Sequence, residues 1–371
     1  MKVLVIGNGF DLAHGFETKY RDFLDFVSQF NSIYELHDHG DLYRLRSGRH
    51  LQFFSKLFSQ GYENSNEIIR ELRKLTFDNI WVAHFWEVMD RRGENWIDFE
   101  KEISNVVQMQ ESYFDCVLDG ESFETAAEEL KGCIVFKNDI LGKIEDEVGS
   151  DIDLLNKFKN ACIDRYLDHL NNLTRALEIY FTLYIGSLQK PQLVQDILDI
   201  DLHENDAIIS FNYTDTYSRL YKQNPVNNVY FLHGKAVLEH TVENNDMVLG
   251  IDEYNSDDAR DSKLDYVAFK KYFQRIIKGT TPRYKEIFQP EDSKEPIDIY
   301  IYGHSLDVTD KDVLKEIITA DKRDVNVTVF SYDKQTQKAH VRNLVQILGM
   351  DEMIEKTYNL DPKIKFKLQK V

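Results

Sequence analysis

The sequence predicts an α/β protein in which a mostly parallel sheet is interrupted by a large helical insertion. A continuous apolar run, Val3, Leu4, Val5 and Ile6, is typical of a central strand that is covered on both faces. Strand-like and helix-like runs alternate after residue 200, as they do in parallel sheets. The intervening region, 51–189, has mainly helical periodicity. We therefore expect one Rossmann-type sheet carrying a helical insertion.

The predicted elements follow one another along the chain. A helix begins near Thr18, and the clearest helical pattern in the insertion covers 158–188. The later strand runs are 207–211, 229–232, 247–249, 297–302 and 325–330, with an edge strand at 364–368. Further helices are predicted near 267–277, 310–318 and 335–348. Residues 1–50 and 200–371 thus form the Rossmann-like domain, and residues 51–199 form the helical insertion domain.

The composition indicates a packed cytoplasmic protein. No stretch reaches the ~18 apolar residues that a membrane span needs, and the first apolar run is too short for a secretory signal. Three cysteines, Cys116, Cys133 and Cys162, match no zinc-site spacing. The formal net charge of −19 disfavours contact with nucleic acid and with anionic membranes. We expect no membrane association and no direct binding of nucleic acid.

A glycine loop follows the first strand. Gly7, Asn8 and Gly9 allow a sharp turn in which bare backbone N–H groups can approach a phosphate. Leu12 stands where the dinucleotide-dehydrogenase pattern has its third glycine, so ordinary nicotinamide hydride transfer is disfavoured. The loop is either a nucleotide contact or a tight turn without a ligand.

Polar loops also follow two later strands, at the sheet edge where open α/β folds bind ligands. Asn212 and Asp215 can hold sugar hydroxyls or a base edge, or they can form a turn and a helix cap. His233, after the next strand, is either a general base near neutral pH or a structural residue.

A second glycine loop, Gly303-His304-Ser305, leads towards a helix that Asp310 opens. It is either an anion site or a capped turn between a strand and a helix.

These motifs resemble the AbiH family, bacterial abortive-infection proteins that act against phage. The resemblance begins with residues 5–15, which include Phe10, Asp11 and His14, and continues with Thr18, Tyr20 and Phe23. Later segments fit in order: Trp96-Ile97-Asp98-Phe99-Glu100, Phe211-Asn212-Tyr213-Thr214, Leu232-His233-Gly234, Leu249-Gly250 and Gly303-His304-Ser305-Leu306 with Asp310. The resemblance spans nearly the full chain and implies a role in phage defence.

A more distant similarity to sirtuin-like Rossmann folds implies a mechanism. It implies Asn212 and His233 as the catalytic pair, with Asp11 or Asp215 as the nearby carboxylate. Together the two resemblances imply ligand contacts from Gly7, Asn8, Gly9, Phe10, His14, Thr18, Tyr213, Thr214, Gly234, Gly303, His304, Ser305 and Asp310. The chain departs from sirtuins in its Gly-Asn-Gly loop and in lacking a four-cysteine zinc ribbon, which disfavours protein deacylation.

Three hypotheses about function follow. The first is a hydrolase that cleaves the glycosidic bond of NAD, which is the expected substrate or ligand, with no further cofactor required. The second is a nucleotide-sensing or partner-binding module without turnover. The third is a metal-dependent nuclease or phosphohydrolase that uses Asp11, Asp98, Glu100 and Asp310, although no compact metal motif is present. A phage-derived trigger and self-association into a homo-oligomer are expected as well.

Overall fold

The chain divides into two compact units in the computed structural model. A sheet unit contains Met1–Thr18, Ile185–Ala236 and Lys278–Val371, and a helical unit contains Lys19–Tyr184 and Val237–Ile277. The structure describes residues 1–38, 48–93, 97–147, 151–188, 192–251, 264–280, 283–289, 296–320 and 324–370. The helical unit therefore includes 19–50 and 237–277, which the sequence analysis assigned to the sheet domain.

The sheet unit is built on six parallel strands. They are β1 (Lys2–Ile6), β2 (Ala207–Ser210), β3 (Asn228–Phe231), β4 (Ile297–Tyr302), β5 (Val325–Ser331) and β6 (Ile364–Leu368). Their order in the sheet is β3-β2-β1-β4-β5-β6, and every pairing is parallel. This is the strand order of dinucleotide-binding Rossmann folds, in which the order reverses between β1 and β4. The predicted Rossmann-type parallel sheet is confirmed.

The apolar run in β1 serves two cores at once. Val3 and Val5 belong to a core that also contains Ile299 of β4. Leu4 belongs to a second core that also contains Ile208 of β2. Successive side chains of a strand point to opposite faces, so a strand buried on both faces must be apolar throughout. Burial on both faces of the sheet is therefore the physical cause of the apolar pattern that predicted a central strand.

The helices account for most of the remaining chain. In order they are α1 (Asn8–Ala13), α2 (Tyr20–Asp38), α3 (Leu51–Phe58), α4 (Ser65–Thr76), α5 (Ile80–Arg92), α6 (Phe99–Leu118), α7 (Phe123–Ala126), α8 (Ile134–Glu147), α9 (Ile152–Ile179), α10 (Gln195–Ile200), α11 (Thr216–Leu220), α12 (Lys271–Lys278), α13 (Lys311–Thr319), α14 (Lys334–Leu348) and α15 (Met350–Thr357). Short 3₁₀ helices cover Leu264–Phe269, Arg283–Phe288 and Val308–Asp310, and a π-helical segment covers Tyr180–Ile185.

Two predictions of secondary structure need correction. The short helix α1 was not predicted, because the glycines at its start predict a sharp turn. The predicted strand at 247–249 is wrong. The side chain of Gln274 accepts the amide of Leu249 at 3.1 Å and donates to the carbonyl of Leu249 at 3.0 Å. The side chain of Gln274 thereby makes the two hydrogen bonds to Leu249 that a neighbouring strand would otherwise make.

The long helix α9 organises the helical unit. Its buried face includes Leu170, Leu173 and Leu177, and its carbonyl at Tyr166 accepts the indole N–H of Trp81 at 2.8 Å. The apolar spacing that predicted this helix is therefore its packing face. Within the described parts of the chain, none of the helices combines the length and the apolar character needed to span a membrane.

The loops after β1 and β4 pack backbone against backbone. The amide of Gly9 donates to the carbonyl of Gly303 at 2.7 Å, and the amide of Gly7 donates to the carbonyl of Tyr302 at 3.2 Å. Gly303 has a φ of +70°, and a Cβ atom at this position would overlap the backbone nitrogen of Phe10. Only glycine permits such an approach. The glycines of the two loops therefore allow these loops to pack closely against each other within the sheet unit.

We expect Gly303→Ala to destabilise the protein by at least about 3 kcal/mol, because a backbone overlap adds to an unfavourable positive φ. Gly15→Ala is the matched control, since Gly15 has a φ of +79° and nothing lies within 4 Å of a Cβ there. That control should cost only about 1–2 kcal/mol. Urea unfolding measures both values. Equal losses in the two variants would contradict the packing role of Gly303.

Candidate functional site

The residues predicted for nucleotide binding and glycosidic hydrolysis lie in the sheet unit, around the carboxyl ends of four neighbouring strands. The first glycine loop follows β1, Asn212 follows β2, His233 follows β3, and the Gly303 loop follows β4. Parallel strands bring their carboxyl ends to one edge of the sheet, which is where such folds bind ligands. The polar side chains form two groups, an Asp11 cluster and a histidine cluster around Asp310.

The Asp11 cluster consists of Asp11, Asn212, Thr214, Thr216 and Arg219. Asp11 projects from α1 and is 1% exposed. Thr214 Oγ1 donates to Asp11 Oδ2 at 2.5 Å, and Thr216 Oγ1 donates to Thr214 Oγ1 at 3.2 Å. Among the described residues, Oδ1 of Asp11 has no hydrogen-bond partner. One oxygen of this buried carboxyl group is thus tied into the fold and the other is left unsatisfied.

Burial controls the ionisation of this carboxyl group. Loss of solvent raises the pKa of Asp11 to about 6, against the lowering effects of the hydrogen bond from Thr214 and of the Arg219 charge. Arg219 itself lies over the ring of Phe16 at 4.5 Å. A carboxyl group that titrates about a unit below neutral pH can both release and accept a proton.

The histidine cluster consists of His233, His304 and Asp310. Nε2 of His233 lies 3.3 Å from one carboxylate oxygen of Asp310, and Nε2 of His304 lies 3.6 Å from the other. The ring of Phe211 packs edge-on against both imidazoles at 5.6 and 4.2 Å, and Tyr213 lies 6.4 Å from His233. A carboxylate that orients an imidazole is the arrangement used for general acid–base catalysis.

His304 has a defined tautomer in this arrangement. Its Nδ1 accepts the backbone N–H of Leu306 at 2.9 Å. In the neutral ring, Nε2 must therefore carry the hydrogen, and it directs that hydrogen towards Asp310. Asp310 thus lies between His233 and His304, with one carboxylate oxygen facing each ring.

Two residues that sequence reasoning missed support His304. His340, on α14, hydrogen-bonds Ser331 Oγ at 2.9 Å and the backbone of His304. Burial lowers the pKa of His340 to about 4, so the ring is neutral near pH 7. Ser331 ends β5, and the strand-end rule applied to the other loops identifies it. His340 lies within a helical pattern and gives no comparable signal.

Several predicted ligand residues bond within the fold instead. His14 Nδ1 donates to the Phe10 carbonyl at 2.6 Å, and the Tyr221 hydroxyl donates to His14 Nε2 at 2.8 Å. Burial lowers the pKa of His14, in agreement with a neutral ring. Thr18 Oγ1 donates to Asn8 Oδ1 at 2.6 Å. His14 and the Asn8–Thr18 pair therefore hold the glycine loop and α1 in place.

The remaining predicted residues lie around the two clusters. Asp215 and Lys235, each nearly half exposed, form an ion pair at 3.1 Å. The exposed Ser305 accepts the amide of Asp307 at 3.4 Å. Gly234 has a φ of +79°, which fits the turn after His233. Asn212 donates to the carbonyl of Gly7 at 3.0 Å, so it links the ends of β2 and β1.

Two acids of the metal-dependent hypothesis lie in the helical unit and have separate contacts there. Asp98 caps α6 by accepting the amide of Lys101 at 3.1 Å. Glu100 pairs with the buried Lys271 at 2.7 Å. Trp96, in the same motif, lies outside the described residues. Asp98 and Glu100 thus have their own capping and ion-pair partners.

One group in the described part of the chain has spacing suited to a metal ion. Ligand atoms of Glu178, His240 and Asp246 lie within 4.8 Å of one another in the helical unit. The fully buried Glu178 already accepts from Arg175 at 2.7 Å and from His240 Nδ1 at 2.7 Å. The guanidinium charge of Arg175 opposes a second cation at this carboxylate.

A family model described as bacteriophage abortive infection AbiH matches residues 3–332. The match covers the first glycine loop, the helical unit and both polar clusters. The AbiH resemblance inferred from the motifs is therefore confirmed, whereas the similarity to sirtuins stays a prediction. Neither a curated protein nor a solved structure matches the chain.

We expect Asp11→Asn to gain stability relative to the native chain as pH rises. A carboxyl group with a pKa of about 6 when folded and 3.8 when unfolded contributes its full stability below pH 3.8, and this contribution is lost as pH rises through 6. Asparagine does not titrate. The difference in unfolding free energy should therefore shift in the variant's favour by up to about 3 kcal/mol.

Urea unfolding at several pH values between about 4 and 7 measures this difference. Asp215→Asn is the matched control, because it removes a half-exposed carboxylate from the same unit. A difference between Asp11→Asn and the native chain that stays constant over this range would contradict the raised pKa of Asp11.

Proposed function

Since the chain belongs to the bacteriophage abortive infection AbiH family, we propose that it acts in defence by binding NAD and hydrolysing the bond between nicotinamide and ribose. Loss of this cofactor stops host metabolism before phage can mature. A phage-derived trigger and self-association accompany the proposal, since an enzyme that drains NAD must be silent in healthy cells.

The pairing of His233 with Asp310 carries the proposal. Hydrolysis of this bond passes through an oxocarbenium-like state at the ribose carbon, as glycoside hydrolysis does. The bond from ribose carbon to nicotinamide nitrogen breaks, water adds to the ribose carbon, and nicotinamide leaves as a neutral molecule. His233 takes the proton that the water loses, and Asp310 orients the imidazole at 3.3 Å.

The Asp11 cluster supports the same chemistry. Ionised Asp11 would stabilise the positive charge that develops at the ribose, because a carboxylate in a buried site acts with little solvent screening. Asn212, at the end of β2, would position the ribose or the nicotinamide amide. Both residues sit at the sheet edge used for dinucleotides in folds of this strand order.

A second function, nucleotide sensing without turnover, is favoured by the glycine loops. The amides of Gly7, Gly9 and Phe10 donate to carbonyls of the protein, at 3.2, 2.7 and 2.8 Å. These N–H groups therefore do not form the phosphate cradle that a dinucleotide-hydrolysing Rossmann site would use. A nucleotide held chiefly through its base and ribose fits this arrangement.

We expect His233→Ala to lower nicotinamide release from NAD by at least about 100-fold while leaving NAD affinity within a few-fold, because it removes the base and not the binding surface. Asn212→Ala should also lower the rate by orders of magnitude. His203→Ala is the matched control, since His203 is an exposed histidine of the same unit. Chromatographic assay of nicotinamide, with and without phage-infected cell extract, measures turnover.

Thermal unfolding of each variant separates loss of chemistry from loss of fold. Turnover that persists in both His233→Ala and Asn212→Ala would contradict the proposed mechanism. Tight binding of NAD by the native chain without release of nicotinamide under either condition would favour the sensing function.

A further inference from the structure

The helical unit contains a cavity of about 230 Å³. It is lined by α5, α6 and the segment that precedes α8, and its walls include His84, Arg91, Arg92, Glu102 and Asn105. The volume is smaller than the roughly 300–1,000 Å³ of pockets for drug-sized ligands. A dinucleotide does not fit in it, and a small metabolite does.

A buried histidine at this cavity lacks hydrogen bonds. His84 is 1% exposed, and among the described residues neither of its ring nitrogens has a hydrogen-bond partner. Its ring packs edge-on against Phe136 at 5.3 Å, so apolar contacts fix its position. Burial, with Arg91 and Arg92 nearby, lowers the pKa of His84 to about 3. The neutral ring offers one N–H donor and one acceptor to a molecule in the cavity.

Two guanidinium groups line the same cavity. Arg91 donates to the carbonyl of Gly132 at 3.0 Å and lies 3.6 Å from Glu87, and Arg92 pairs with Glu102 at 2.8 Å. A guanidinium group carries five N–H donors, so both arginines retain donors beyond these contacts. The cavity wall therefore presents guanidinium donors from both arginines, beside the Glu102 carboxylate that pairs with Arg92.

We propose that this cavity binds a small oxyanion, with Arg91, Arg92 and His84 donating hydrogen bonds to its oxygens. Phosphate and carboxylate groups share this chemistry, because both present several acceptor oxygens to planar guanidinium donors. The site belongs to the helical unit, whereas the proposed NAD site belongs to the sheet unit. Its ligand is thus an effector or a second metabolite and not the hydrolysed nucleotide.

Isothermal titration of the full chain with inorganic phosphate, and separately with succinate, tests the proposal. His84→Phe should weaken binding by about tenfold, since it removes one hydrogen bond to a charged group. The variant should fold normally, because phenylalanine fills the same apolar surroundings without polar atoms. Arg91→Gln is a second variant and should weaken binding at least as much.

Lys101→Gln is the matched control, because it removes a positive charge from an exposed position on α6. It should leave the affinity within about twofold. Binding of only one probe, phosphate or succinate, identifies which kind of anion the cavity takes. Weaker binding of that probe by His84→Phe supports the site. Absence of binding by both probes at about 10 mM, or unchanged binding in both cavity variants, overturns the proposal.

Discussion

The backbone contact between the loops after β1 and β4 determines the geometry of the candidate site. Gly9 and Gly303 approach closely enough for a 2.7 Å hydrogen bond, which no side chain at Gly303 would permit. The contact fixes where α1 begins, and α1 carries Asp11 into the interior. On the other loop, the residue after Gly303 is His304, which faces Asp310 at 3.6 Å. One contact between glycines therefore positions a member of each polar cluster.

The buried polar groups of the sheet unit differ in how completely they are satisfied. The amide of Val194 donates to the Tyr221 hydroxyl, which donates to His14, which donates to the carbonyl of Phe10. Every group in this series of hydrogen bonds has a partner within the fold. The series therefore stabilises the fold and does not serve as a ligand contact. Asp11 keeps one unsatisfied oxygen. Leaving a buried carboxylate oxygen without a partner costs free energy, and the proposed role of Asp11 at the ribose would explain why the sequence retains it.

The sequence predicted the parallel sheet and the strand ends of the site because both depend on local patterns. Apolar runs such as 207–211 and 325–330 mark buried strands, and parallel order brings the loops that follow them to one edge. It did not predict α1, since a glycine in the first turn disfavours a helix unless a tertiary contact such as Gly9–Gly303 holds it. The prediction of a strand at 247–249 was wrong for a similar reason, because a tertiary contact overrides the local pattern. The distant side chain of Gln274 supplies the hydrogen bonds of Leu249 there.

Short-range electrostatics would allow a strongly acidic protein to bind small anions at the proposed sites. The formal net charge of −19 repels polyanions such as nucleic acid, yet this long-range field is screened beyond about 10 Å at 0.1 M salt. At contact distance, the charge of the nearest groups and the number of their hydrogen-bond donors determine whether a small anion is attracted. Arg219 acts on the Asp11 cluster, Lys235 pairs with Asp215, and Arg91 and Arg92 line the helical cavity. The proposed sites would therefore take small anions that reach one or two cations at once, while the net charge of the protein opposes long polyanions.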